Sequence, residues 1–261
     1  MNASVSFIGT VSCEKRCGVK SSGEPYYRRI SLKPTAYEGS TKGRIEAHMQ
    51  DHVHHMKVVI NHEDGRIVSA VPQGVRLPWD MCPFGIAGVT RTAGMTIAQA
   101  REGLGWPGGR TANCVHMVDL ARVALAHVYD TEPSVYAITV TPAFAPDRHA
   151  QLERDGELVL QWTLNEQTLS GDEPFHGRTL AAADFVSWRA KLDPALREPA
   201  TILRRACHIA PSRDINLDRM RVAAESINAD GSCYTLQPDV IEHAHRQQGT
   251  FRLELTDDDR I

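Results

Sequence analysis

The chain of 261 residues is 42% hydrophobic and 23% charged, which is ordinary for a globular protein with a substantial core. Its formal net charge of -3 argues against a nucleic-acid surface, which needs clustered Lys and Arg. No apolar run approaches the roughly 18 residues of a membrane helix, and the N-terminal segment lacks the basic region of a signal peptide. Six cysteines are sparse for a secreted disulfide scaffold. We therefore expect a cytoplasmic protein with reduced thiols and without a nucleic-acid or membrane partner.

The N-terminal segment predicts two strands separated by a polar loop. Residues 5–11 form the first predicted strand, and the loop after it carries Cys13 and Cys17. No third metal ligand lies near this pair, which favours an ordinary exposed loop over a metal site. The second strand is predicted at residues 26–32 and is expected to end at Pro34, because proline cannot donate a ladder hydrogen bond.

An antiparallel meander is predicted for the residues that follow. Apolar and polar residues alternate at 45–50 and again at 54–60, which is the period-two pattern of half-buried strands. Asp64-Gly65 is a strong hairpin signal. Ile67, Ser69 and Val71 continue the period-two pattern on one face of the return strand, and Pro72 is expected to end the sheet.

Helical signals begin after residue 80. Pro83 follows Cys82 and suits the first turn of a helix. Thr96 is a predicted N-cap for a short amphipathic helix that ends at Leu104. Residues 114–128 form the clearest helix of the chain, because their apolar residues recur at helical spacing.

The second half of the chain mixes strands and helices. Strands are predicted at 135–141 and 157–165, helices at 181–192 and 195–209, a weaker helix at 218–227 and a last strand at 251–255. The pattern predicts an α+β fold in which an antiparallel β-meander packs against helices and a second α+β half completes one compact unit. We interpret residues 1–130 as the core that carries the site and residues 131–261 as an extension packed on that core.

Cys114 is predicted to stand at the start of a helix, with His116 two residues later. The positive end of a helix dipole stabilises a thiolate, so we expect a lowered pKa for Cys114 and a possible nucleophile or metal ligand. The alternative is a buried cysteine that acts as a small hydrophobic residue. The two interpretations are equally supported by the sequence.

Cys82 also precedes a predicted helix, so the fold could bring two helix starts together. With His54 from the sheet, this gives a Cys2His2 set of Cys82, Cys114, His116 and His54 that would suit zinc. The spacing is not that of a zinc finger. We therefore expect no cofactor, with zinc as the alternative.

His54 and His55 follow Asp51 in one predicted turn. Histidine suits proton transfer near neutral pH, and a nearby carboxylate would orient it. His54 shares the apolar face of its strand, where a histidine is more often structural than catalytic, and His55 points the other way. Glu46 on the preceding strand could be a solvated charge or the base of a cavity.

Arginine and tryptophan side chains complete the candidate set. Arg29, Arg76 and His55 could bind a substrate carboxylate, and Trp79 could wall a pocket, although packing is the default role of a tryptophan. The basic doublets Arg28-Arg29 and Arg204-Arg205 are interpreted as solvated surface, with carboxylate binding as the alternative.

Six short motifs in fixed order resemble a bacterial domain-of-unknown-function family (2889): YYRRI, RIEAHMQD, VHHM, HEDGRI, LPWDMC and NCVHMVDL. The resemblance covers residues 26–128. It implies a shared site composed of Arg29, Glu46, His54, Cys82, Cys114 and His116. It implies no reaction, because the family has no known function.

Nucleotide-binding, metalloprotease and serine-hydrolase motifs do not occur in the sequence. The remaining residues favour a cofactor-independent lyase or isomerase that uses acid–base chemistry on an aromatic or carboxylate-bearing small molecule. His54 or Glu46 would be the base, His116 the acid and Arg29 or Arg76 the substrate clamp. The alternatives are a metal-dependent hydrolase with a Cys/His site and a non-enzymatic metal or iron–sulfur scaffold or binding protein. A homodimer is compatible with each of them.

Overall fold

The computed structural model describes residues 23–37, 39–102, 106–109, 111–142, 145, 148–226, 231–253 and 255. The predicted strand at residues 5–11 and the pair Cys13 and Cys17 lie outside these residues. Strands from both sides of residue 130 belong to one sheet, because the first described strand pairs with the fifth.

The described strands form an eight-stranded antiparallel sheet in the order β4-β3-β2-β1-β5-β6-β7-β8. The predicted α+β class is therefore confirmed. The bounds of the strands are β1 Tyr26–Ala36, β2 Gly43–Asp51, β3 His55–Glu63, β4 Arg66–Arg76, β5 Ser134–Val140, β6 Arg148–Arg154, β7 Glu157–Asn165 and β8 Thr168–Ser170.

The helices of the described chain pack on one face of this sheet. Their bounds are α1 Cys82–Ile86, α2 Ile97–Glu102, α3 Val115–Ala126, α4 Ala182–Arg189 and α5 Pro194–Ile209. α3 contacts β2 and β3, and α5 contacts β5, β6 and β7. Beneath them the register places Ile30 of β1 beside Met49 of β2 and Tyr136 of β5, all of which are buried. The core therefore lies between this face and the helices.

Two prolines do not end their strands, contrary to the prediction. Pro34 lies inside β1 and pairs with Ile45 of β2, but the pairing of β1 with β5 ends at Leu32. Pro72 lies inside β4, which is an edge strand. In both places one side of the strand has no neighbour, so the missing N–H costs no ladder hydrogen bond.

The predicted face of the return strand is wrong because β4 contains a bulge. The register with β3 shifts between Asn61 and His62, so that Ile67 pairs with His62 while Ser69 pairs with Asn61. An extra residue in one strand reverses the side on which the later residues point. Ile67 is therefore buried, whereas Val71 is 56% exposed.

Some elements of the second half differ from the sequence prediction. β6 and the short β8 were not predicted, and the weak helix expected at 218–227 is replaced by two 3-10 turns, Leu217–Arg219 and Ala223–Glu225. The described residues 251–253 are not part of a strand. α5 agrees with the prediction and contains Pro199 in its first half. Asp193 caps this helix by accepting a hydrogen bond from the backbone N–H of Ala195.

No helix within the described ranges is both long and apolar enough to cross a membrane. The longest described helix is α5, and it carries arginine and glutamate along its length.

Candidate functional site

The carboxylate of Asp51 organises the turn between β2 and β3. Asp51 is the last residue of β2, and its side chain is fully buried. Its Oδ1 atom accepts hydrogen bonds from the backbone N–H groups of Val53 at 2.8 Å and His54 at 2.7 Å. An aspartate that bonds the chain two and three residues on fixes a tight turn. This turn places the ring of His54 next to the carboxylate that holds the turn.

The second oxygen of Asp51 is bound from β1. Its Oδ2 atom accepts hydrogen bonds from the Tyr26 hydroxyl at 2.8 Å and from Arg28 Nη2 at 2.5 Å and Nε at 3.1 Å. Burial alone would raise the pKa of Asp51, but the attraction of His54 and Arg28 outweighs burial and holds this pKa well below its usual value. Asp51 is therefore a buried anion that is paired on both oxygens.

His54 and His116 meet beside this anion. The Nδ1 atom of His54 lies 3.1 Å from Asp51 Oδ1, and because a carboxylate only accepts hydrogen bonds, this nitrogen carries a proton. The ring centroids of His54 and His116 are 4.2 Å apart with an interplanar angle of 37°. His116 reaches this position from the first turn of α3. The structure thus brings together two residues that the sequence nominated 62 positions apart.

His116 is held in the neutral state. Burial lowers its pKa well below the usual value, and the positive charges of His54, Arg28 and Arg205 lower the pKa further. Its Nε2 atom is buried and has no hydrogen-bond partner in the described part of the chain. A buried imidazole nitrogen normally has such a partner. The ring therefore retains a nitrogen that no described residue uses, in a residue that lines a cavity.

This cavity of about 270 Å³ lies between the sheet, α3 and α5. His116 forms part of its wall together with apolar side chains from the sheet and both helices: Ile30, Met49, Leu120, Val123 and Ile202. A concave space in which apolar side chains and converging polar groups meet is a candidate small-molecule site.

The cavity wall carries an excess of positive charge. Six arginines line it, against three carboxylates, which leaves three positive charges in excess. Arg205 forms an ion pair with Asp119, and Arg28 is paired with Asp51. Each of these two arginines keeps at least one N–H group that is not used in its ion pair, because a guanidinium has five donors. The wall suits an anionic ligand.

The comparison with known families agrees with the resemblance seen in the sequence. Residues 32–129 match the model of a family described as Protein of unknown function (DUF2889). We refer to residues 32–129 as the DUF2889 region. A search of curated proteins finds no match for the chain. His54 and His116 lie inside the DUF2889 region, whereas Arg28 and Arg205 lie outside it.

The two cysteines of the DUF2889 region do not behave as expected from the sequence. Cys114 lies at the start of α3, as predicted, and is its N-cap residue, but burial raises its pKa far above the usual value, and neighbouring Cys233 and Cys82 raise it further. Burial also raises the pKa of Cys82 to about 12. The predicted lowering of the Cys114 pKa is therefore wrong, because loss of hydration outweighs the helix dipole.

A metal site at these cysteines is not formed by the described residues. Cys82 Sγ accepts a hydrogen bond from Thr235 Oγ1 at 3.6 Å, and the backbone N–H of Cys114 donates to Gly85 at 2.9 Å. Within the described ranges, no group of three or more His, Cys, Asp or Glu side chains is arranged to hold a metal ion. The four residues proposed as zinc ligands therefore do not form a cluster in the described chain. Of Cys82, Cys114, His116 and His54, the two histidines contact each other.

Three other nominated residues lie on the opposite face of the sheet. The register places Arg29 beside Gln50, and Gln50 beside His55, one position out of phase with Arg28 and Asp51. Glu46 shares this second face and bonds Lys57 Nζ at 2.6 Å and His48 Nε2 at 2.8 Å. These hydrogen bonds lower the pKa of Glu46 to about 2. The sheet thus separates Arg29, Glu46 and His55 from the cavity.

Arg76 and Trp79 support the chain around the site and do not line the cavity. The guanidinium of Arg76 donates to the backbone carbonyl oxygens of Asp51 at 2.7 Å and His52 at 3.1 Å, which satisfies the turn that carries His54. Trp79 is buried, and the guanidinium carbon of Arg246 lies 5.8 Å from its ring centroid.

Two cavity arginines were interpreted in the sequence as surface residues. Arg28 and Arg205 each belong to a basic doublet, and carboxylate binding was only the alternative interpretation of those doublets. The signal that could have found Arg28 is strand parity, since Arg28 shares its face with the apolar Ile30 and Leu32. For Arg205, the sequence shows the apolar stripe of α5, but it does not show that Asp119 is the partner of this arginine.

Proposed function

We propose that the protein is a small-molecule enzyme, a lyase or isomerase, that removes a proton from an anionic substrate bound in the cavity beneath α3 and α5. The observation that carries this proposal is the buried, unpartnered Nε2 of His116, a residue of an arginine-lined cavity whose ring centroid lies 4.2 Å from that of the Asp51-bound His54. The assignment of the base differs from the sequence hypothesis, in which His116 was the acid.

Neutral His116 is suited to the role of general base. A base must be unprotonated at the working pH, and the lowered pKa of His116 ensures this state. Asp51 favours the imidazolium that forms after proton transfer, because its negative charge acts on His116 in the direction that raises the pKa. Asp51 and His54 are positioning residues in this scheme, because Asp51 holds His54 and the ring of His54 contacts the base.

Arg28 and Arg205 are placed to stabilise the charge that develops on the substrate. His116 Nε2 takes a proton from a carbon next to a carbonyl group, and the C–H electron pair moves into that carbonyl, whose oxygen becomes negative. Preorganised guanidinium groups beside such an oxygen stabilise the transition state. The imidazolium then returns the proton to another carbon in an isomerase, or to a leaving group in a lyase.

This chemistry is complete with side chains of the chain itself, so we propose a cofactor-independent reaction on a small molecule in the cytoplasm. The described cysteines support a reducing compartment, because the buried thiols of Cys82, Cys114 and Cys207 are free. An aromatic or carboxylate-bearing substrate suits a cavity that is lined by both apolar side chains and arginines.

Proton abstraction can be tested without knowing the product. The protein is incubated in deuterated water with a panel of carbonyl-containing carboxylic acids, and deuterium incorporation at carbon is followed by NMR and mass spectrometry. We expect incorporation into at least one compound by the wild type. His116→Asn should lower the exchange rate at least a hundredfold, since general-base catalysis contributes about 10²–10⁴-fold.

Two control variants make this test specific. His243→Gln changes an exposed histidine, and Glu46→Gln changes the carboxylate on the opposite face of the sheet. Both should exchange deuterium at the wild-type rate. Deuterium exchange at the wild-type rate in His116→Asn, or loss of exchange in Glu46→Gln, would overturn the assignment of the base.

A further inference from the structure

We propose that Arg122, Arg189 and Arg197 form an anion clamp at the far end of the cavity from His116. The ligand of the cavity is then a molecule with an apolar body near His116 and a carboxylate at the clamp. This inference names the ligand class of the site described under the proposed function, and it rests on that site. It concerns binding, so it does not depend on the identity of the base.

Two side-chain bridges show which way the cavity runs. Arg205 of α5 is paired with Asp119 near the start of α3, whereas Glu198 of α5 accepts a hydrogen bond from His127, just beyond the end of α3, at 2.8 Å. The two helices are therefore antiparallel along the cavity. His116 lies at the end marked by the Arg205 bridge, and Arg197 lies at the end marked by Glu198.

Two of the clamp arginines, Arg122 and Arg197, are held by their Nε atoms, and their terminal nitrogens form no hydrogen bond with the described residues. Arg122 Nε donates to the carbonyl of Arg101 at 2.8 Å, and Arg197 Nε donates to the carbonyl of Leu192 at 3.0 Å. Arg189 is half-buried. Across the described residues, none of the three clamp arginines forms an ion pair with a carboxylate. A guanidinium held in this way is preorganised for two-point binding of an anion.

The positive charge of the cavity is concentrated at this end. At the His116 end, Arg28 and Arg205 are compensated by Asp51 and Asp119. At the other end, Glu198 is already bound by His127 and by the hydroxyl of Tyr136. Burial and repulsion from Arg122 and Arg197 lower the pKa of Arg189, and these effects outweigh the attraction of Glu102, which raises it. A bound anion relieves that repulsion.

The helix spacing sets the length of the ligand. Arg122 lies six residues after His116 on α3, which corresponds to about 9 Å along the helix axis. The wall between these ends is apolar and includes Leu120, Val123 and Ile202. A phenyl ring joined to a carboxylate by a three-carbon chain has a comparable length and the matching distribution of charge.

Calorimetric titration with 4-phenylbutyrate and with its neutral counterpart 4-phenylbutanamide tests the clamp. We expect the wild type to bind the carboxylate about tenfold or more tightly than the amide, since a hydrogen bond to a charged group contributes about 1.5–3 kcal/mol. Arg189→Gln and Arg197→Gln should each reduce this preference several-fold. Arg219→Gln is the matched control, because Arg219 is exposed and does not line the cavity.

His116→Asn separates this inference from the proposed reaction. That variant should keep the preference for the carboxylate even where it loses deuterium exchange. If His116→Asn still prefers the carboxylate and also exchanges deuterium at the wild-type rate, the proposed reaction is rejected and the clamp is retained. Equal binding of the two compounds by the wild type, no binding of either, or an unchanged preference in both clamp variants would overturn the clamp.

Discussion

The imidazole of His127 lies between two carboxylates, with Nδ1 2.7 Å from Asp130 Oδ2 and Nε2 2.8 Å from Glu198 Oε1. Because both nitrogens face acceptors, the ring is bound in its doubly protonated form. This arrangement joins the residue after α3 to the first half of α5. It closes the wall of the cavity at the end opposite to His116.

The charge of His127 should make this junction sensitive to pH. Burial lowers the pKa of His127, but Glu198 and Asp130 outweigh burial and raise it above the usual value. A group with a raised folded-state pKa contributes stability that is complete below its unfolded pKa and is lost as pH rises through the folded pKa. His127→Gln should therefore cost about 2 kcal/mol at pH 5.5 and clearly less at pH 9. Urea unfolding at the two pH values measures this difference, and an equal cost at both would contradict the charged state.

Asp51 and Arg28 should show strong coupling in stability. Both side chains are buried, and removal of one partner leaves the other charge uncompensated. Asp51→Asn should therefore lower the free energy of unfolding by about 3–5 kcal/mol. The double variant Asp51→Leu with Arg28→Met removes both charges and should recover part of this loss. Denaturant unfolding of Asp51→Leu, of Arg28→Met and of the double variant measures the coupling, and strictly additive losses would contradict a paired buried charge.

The thiols of Cys82 and Cys114 should resist alkylation in the folded protein. Burial raises the pKa of Cys82 to about 12 and that of Cys114 still further, so very little thiolate exists near neutral pH. At pH 8 we expect iodoacetamide to label both residues at least a hundredfold more slowly than a free cysteine of pKa about 8.5. Peptide mass spectrometry with and without urea measures this protection. Rapid labelling of Cys114 in the folded protein would contradict this prediction and would support a thiolate stabilised at the helix start.

Much of the fold of the first half follows from local sequence pattern. The alternation of Ile45, Ala47 and Met49 with polar residues is reproduced as the buried face of β2, and α3 starts within one residue of the predicted position at Cys114. Pattern did not reveal β6, because only Ala150 and Leu152 among its seven residues are buried. Such a strand is defined by its neighbours β5 and β7 rather than by its own composition.

The candidate site was predictable only in its local part. His54 and Asp51 are three residues apart, so their contact follows from one turn. Arg28 reaches Asp51 through strand pairing, and Arg205 reaches the cavity through helix packing, neither of which leaves a signal at fixed spacing. Glu46 was nominated because it lies near these residues in sequence. It points away because side chains alternate between the two faces of a strand.

β1 is hydrogen-bonded on both sides, to β2 of the DUF2889 region and to β5 from the later part of the chain. Separation of the two parts would uncover a row of backbone amides and carbonyls along most of a strand, in the middle of what is now a continuous sheet. The cavity would lose the α5 wall in the same step. A truncated protein made from residues 32–129 alone also lacks most of β1, so we expect it to aggregate through the exposed edge of β2 before it can be tested for ligand binding. Mutational and binding work on this site is best carried out on the intact chain.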